Sequence, residues 1–141
     1  MKQETISELE RIRDEHDGVL HPQDVVEAAR NEASPLHAYF VWDDSAAAHK
    51  YRVWQARQLI EVVVTVLPHN EQAIQAYVSL RSDRLNGGGY RAIIEVLNDN
   101  ERRAELLQQA LRELIAIKSK YAQLKALSPV FKAIDKVRIA A

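Results

Sequence analysis

Lys50, Arg52 and Arg57 fall within residues 46–60, a stretch without a single Asp or Glu in a chain that carries 19 Lys and Arg against 20 Asp and Glu. A second group, Arg81, Arg84 and Arg91, surrounds the glycine cluster Gly87-Gly88-Gly89, where Asp83 is the opposing charge. With a net charge of −1 the chain exerts no global pull on nucleic acid or anionic lipid, so any hold on phosphates must come from such local clusters. Gln55 and Gln58 have the paired donor and acceptor groups that reach base edges. The competing assignment for these cations is a solvated helix face.

Other chemistries find no constellation. The histidines stand at 16, 21, 37, 49 and 69, with no i,i+4 pair and no HExxH, so no metal site is expected. There is no cysteine, which removes thiol chemistry and cysteine-based zinc sites and fits a reducing compartment. No serine has a GxSxG setting. The glycine cluster is followed by no Gly-Lys-Ser/Thr and preceded by no parallel βα unit, so it reads as a turn and not as a nucleotide cradle. Asp43 and Asp44 are adjacent, which points their carboxylates apart; helix capping accounts for them. Neither an enzyme nor a cofactor is expected. The N-terminus is charged and the longest apolar run, near 59–67, is short and carries Glu61, so the expectation is a cytoplasmic protein without a membrane span.

The elements that must position these cations are mostly helical, because Ala, Leu, Glu, Gln and Arg dominate and Gly and Pro number only 4 each. One domain over 1–141 is expected. Its helical part, 5–60, starts with a helix over 5–16 opened by a Thr5–Glu8 capping box and closed at Gly18. A second helix follows His21-Pro22 to about residue 31, a third short one spans 36–41 after Ser34-Pro35, and a fourth, capped by an aspartate or Ser45, covers 46–60. The β-branched run 62–66 and the alternating run 74–80 predict a β-hairpin within 61–81, with strands confined to 60–81. A glycine loop and a short element at 92–97, helix in preference to strand, fill 82–100. A long helix over 101–127, capped by the Asn98-Asp99-Asn100 cluster, and a last helical piece at 130–137 complete the chain to about 138.

Short helices followed by a hairpin are the order of a winged helix-turn-helix, in which Tyr39, Phe40, Trp42, Tyr51 and Trp54 would wedge the third and fourth helices together. On the fourth helix Ala47, Ala48, Tyr51, Trp54 and Leu59 are expected on the buried side, and Lys50 and Arg57 on another. The nucleic-acid candidates are then Lys50, Arg52, Arg57, Arg81, Arg84 and Arg91. The long helix has an apolar line, Leu107, Leu111, Leu114, Ile117, Tyr121 and Leu124, with Lys118 on its seam. It either packs back on the chain or pairs with a second copy, and Leu107, Leu114 and Tyr121 mark that oligomer or partner surface.

The string SPLH-x-x-F-x-WDD-x-x-AA-x-x-YR-x-x-QAR-x-LI over 34–60, with YVSLRSDRLNGGGYR and KYAQLKALSPVF later on, resembles a group of small proteins of bacterial phages and prophages. The resemblance covers most of the chain and transfers no catalytic or binding residue. It implies a DNA-related accessory, serving regulation, replication, recombination or packaging inside a bacterial host. The alternative it leaves open is a non-enzymatic interaction module, either a phage assembly subunit or an inhibitor of a host protein.

Overall fold

A computed structural model describes residues 1–42, 45–69 and 71–140 of the protein. It is mainly helical, as expected, with seven α-helices and five strands of two or three residues among the described residues. Contacts group the chain into two units, Met1–Asn98 and Asp99–Ala141.

In the first unit, α1 (Gln3–Glu15) buries Thr5, Leu9 and Ile12 along one stripe. The helix begins after Lys2, so Thr5 lies inside it and the expected capping box does not form. Glu8 instead accepts two hydrogen bonds from Arg11, which hold its carboxyl below the usual range. Gly18 ends the turn after α1 with φ +78° and donates to the Arg13 carbonyl at 3.0 Å. Strand β1 (Val19–Leu20) and α2 (Pro22–Ala29) follow, with Pro22 in the first turn where its missing N–H is not needed.

The third helix expected at 36–41 is only a single 3₁₀ turn, His37–Tyr39, after which Phe40 is extended. The reason lies in α3 (Ala46–Glu61), whose side chains take this backbone's hydrogen bonds. Arg52 Nη1 donates to the Val41 carbonyl at 3.0 Å and Gln55 Nε2 to that of Tyr39 at 3.4 Å. Ser45 caps α3, its hydroxyl oxygen accepting from the Ala48 N–H at 3.2 Å. The capping expected of Asp43 or Asp44 lies outside the described residues.

Strands β2 (Val64–Val66) and β3 (Ala73–Gln75) form an antiparallel ribbon with Thr65 opposite Ile74. The strand expected over 74–80 then changes partner. At Ala76 the N–H donates to Val63 and the carbonyl accepts from Ile93, both at 2.8 Å. Beyond it β4 (Tyr77–Val78) joins a second sheet of order β1-β5-β4, with β5 (Tyr90–Ala92) central and antiparallel to both neighbours. Strands are therefore not confined to 60–81. Between β4 and β5 sits α4 (Arg81–Leu85), and α5 (Ile93–Asn98) follows β5 directly, so the helix expected at 92–97 starts one residue late. The core gathers Leu9 and Ile12 from α1, Leu20 from β1, Val25 and Val26 from α2, Leu36, Ile60 and Tyr77.

In the second unit Asp99 caps α6 (Asn100–Lys120), its carboxylate accepting from the Arg102 N–H at 2.9 Å. The helix stops at Lys120, short of the expected 127; a 3₁₀ turn, Lys125–Leu127, leads into α7 (Ser128–Ala140). Pro129 falls in the first turn of α7, so it opens this helix as well as separating it from α6. Helix α7 packs back on α6, where Lys118 Nζ lies 2.7 and 2.8 Å from the two Asp135 oxygens.

Gly89, in β5's approach to β1, has φ +129°, and a Cβ there would overlap Val19 Cγ1 and crowd the His21 ring. Gly87, at φ +96°, faces open space. Gly89→Ala should therefore cost roughly 2–4 kcal/mol, strain plus overlap, and Gly87→Ala roughly 1–2 kcal/mol from backbone strain alone. Urea denaturation of the two variants checks the order.

Candidate nucleic-acid interface

Helix α3 has apolar residues on both sides, and its inward side is only partly the one expected: Leu59 is buried and Ala48 half-buried, but Ala47 is exposed with Tyr51 and Trp54. Arg52, Ala56, Leu59 and Ile60 are the buried residues, while Tyr51 is 49% and Trp54 51% exposed. Lys50, Tyr51, Trp54, Arg57 and Gln58 follow one another at intervals of one and three, which sets them on one outward stripe. The Tyr51 and Trp54 rings stack with centroids 5.6 Å apart and planes 17° from parallel. The aromatic wedge thus shrinks to Phe40, which is buried, and Trp42, which is half-buried. Trp42 stacks on His37 at 5.0 Å and donates its Nε1–H to the His37 carbonyl at 3.1 Å. Tyr39, like Tyr51 and Trp54, lies outside it, 39% exposed.

Two of the six candidate cations turn inward. Arg52 is only 5% exposed, with its guanidinium 5.3 Å from the Trp42 ring centre. Arg91 grips buried Asp83 through Nε at 3.0 Å to both oxygens and Nη2 at 2.7 Å. Both act as fasteners, the first for the 3₁₀ turn and the second for the α4 loop. Gln55 is likewise committed to the backbone at Tyr39 and Val41. Lys50, Arg57, Arg81 and Arg84 remain on the surface, with Arg84 Nη1 donating to the Ser79 carbonyl at 2.7 Å.

Both surface groups lie within electrostatic reach of Tyr90. Its hydroxyl donates to Glu61 Oε1 at 2.9 Å, tying β5 to the end of α3. Burial, then this hydrogen bond, push the phenol up to about 12, while Arg57 and Arg84 both pull it down. An arginine of α3 and one of α4 are thus within electrostatic reach of one hydroxyl. No family model matches the chain, nor does any curated protein or solved structure.

Sequence reasoning missed the outward turn of Tyr51 and Trp54 and the Tyr90–Glu61 bond. The first left one signal: a helix bearing apolar residues all round but an arginine four residues before its small Ala56 can bury either side. Among the described residues no group of three His, Asp or Glu is placed to hold a metal ion, and no helix is long and apolar enough to cross a membrane. The oligomer candidates Leu107, Leu114 and Tyr121 are all exposed on α6 or at its end.

Trp54→Ala should shift the folding free energy by under about 0.5 kcal/mol, where a buried tryptophan would lose about 3–5 kcal/mol. Arg91→Ala should cost roughly 2–4 kcal/mol by stranding the Asp83 carboxylate. Chemical denaturation of both variants separates surface from fastener. Tyr90 is favoured protonated in the fold, so its contribution holds below its unfolded pKa of about 10 and disappears as pH rises toward about 12. Tyr90→Phe should remove that alkaline loss of stability, followed by thermal melts at rising pH.

Proposed function

We propose that the protein is a non-enzymatic nucleic-acid-binding accessory of the phage and prophage type, acting on DNA in a bacterial cytoplasm through α3 and the α4 loop. The observation that carries the reading is the outward stripe of α3. It sets Lys50 and Arg57 around a stacked Tyr51–Trp54 pair and has no acid from 46 to 60, while Arg57 and Arg84 both act electrostatically on Tyr90. Exposed cations can hold phosphates, which leaves the exposed rings and Gln58 to meet bases.

The order of elements supports it. Taking the β2–β3 ribbon as an insertion and α4 as part of the β4–β5 connection, the chain runs helix, strand, helix, helix, strand, strand, with β1 beside β5 and β5 beside β4. That is the order of a winged helix-turn-helix, with α2 and α3 as the helix pair and 79–89 as the wing. The second helix of such a pair enters the major groove. In this reading the connection between the two helices is long, residues 30–45, and is held by Arg52 and Gln55.

One observation favours a second reading. Exposed Trp, Tyr and Arg side by side are also the residue types that dominate protein interfaces, so α3 would serve an assembly partner or a host protein equally well.

A salt titration of binding to random duplex DNA separates the two. Lys50→Glu with Arg57→Glu should weaken binding at least about tenfold and lower the salt slope by about one unit for each phosphate that is no longer neutralised. Trp54→Ala should weaken binding with an unchanged slope, since a ring releases no counterions. A wild type that fails to bind near physiological salt, or a double reversal with the original affinity and slope, overturns the DNA reading and favours a protein partner.

A further inference from the structure

The second unit carries a seam that its own fold leaves uncovered. Along α6 and its C-terminal cap, Leu107, Ala110, Leu114, Ile117 and Tyr121 recur in steps of three and four; Leu124, expected on the same line, lies beyond the helix. All five are exposed, the four large ones between 37% and 48%. The hairpin uses the neighbouring line instead: Leu111 is buried and Lys118 holds Asp135 of α7. Lys118 is therefore off the seam, and what remains is a short, unbroken 3-4 repeat of the coiled-coil kind.

We propose that a second copy of this chain docks on this seam, with the two α6 helices antiparallel about a twofold axis. Two features of the seam select this occupant. The first is shape. Antiparallel pairing sets Leu114 of each copy against Ile117 of the other and Ala110 against Tyr121, so the smallest seam residue meets the bulkiest. The second is charge. Exposed Glu113 and Lys120 flank the seam seven residues apart. The same alignment brings Glu113 of each copy beside Lys120 of the other, twice over by symmetry. A parallel pair would instead set Glu113 against Lys118, which is already engaged with Asp135. On α7, exposed Val130, Ala133 and Val137 repeat the three-and-four spacing, so two hairpins have the apolar lines that a four-helix bundle needs.

Sedimentation of the 141-residue chain over a concentration series should show a monomer–dimer equilibrium. Leu114→Lys with Ile117→Lys, both at exposed sites, should weaken it by about a hundredfold or more while the helical circular dichroism is kept. Glu113→Lys and Lys120→Glu should each weaken it about threefold to tenfold. The two combined in one chain should restore it, and the two single variants mixed should pair preferentially with each other. A chain that is monomeric throughout, or a dimer indifferent to the seam lysines or to Lys120→Glu, overturns the proposal. The charge variants keep the test decisive if the lysine pair disturbs the helix.

Discussion

The rotation of α3 about its own axis is set by a buried arginine, and the character of the surface follows from it. A guanidinium is accepted in a core only where its donors find acceptors and its face finds an aromatic ring. In the segment after the 3₁₀ turn, Arg52 Nη1 finds an acceptor in the Val41 carbonyl and the guanidinium face finds the Trp42 ring. With Arg52 turned inward beside Ala56, Leu59 and Ile60, the opposite stripe must face out, and Tyr51 and Trp54 go with Lys50 and Arg57. The inward turn of Arg52 thus goes with the outward turn of the two aromatics.

Two further polar contacts hold the surface groups in place. The Asp83–Arg91 pair fixes the α4 loop from within, and the backbone carbonyl of Asp83 takes the Gly88 N–H at 2.8 Å, folding the glycine turn onto the same residue. The Tyr90–Glu61 bond does the corresponding service between β5 and α3. The acid at the end of α3 is occupied by a phenol in an otherwise cationic neighbourhood. Structural arginines and surface arginines differ here by partner, not by position in the sequence.

How much was legible follows the strength of local signals. Helices with a cap and a clear start were readable: Pro22 opened α2, Ser45 marked α3 and Asp99 marked α6. Elements made by tertiary contact were not. A two-residue strand such as β1 has no periodicity to read, and the break at Ala76 depends on Val63 and Ile93, distant partners whose approach no local pattern encodes. The 36–41 segment has helical residues but loses its backbone acceptors to Arg52 and Gln55. The candidate cations were legible as a list. Sorting Arg52 and Arg91 from Lys50, Arg57, Arg81 and Arg84 required knowing where Val41, Trp42 and Asp83 lie.

The partner change at Ala76 has a consequence for how the first unit opens. The β2–β3 ribbon is short, with Val64 and Val66 both more than half exposed, and it meets the other sheet through a single residue whose two hydrogen bonds run to Val63 and Ile93. Opening the ribbon leaves those two bonds and the β1-β5-β4 ladder intact. In hydrogen-exchange terms it is a separate cooperative unit: its amides trade with solvent through local fraying, while those of Ala76 and Ile93 wait for the core itself to open. The segment 73–78, β3 and β4, thus belongs to two foldons of different stability, and Ala76 is the border between them.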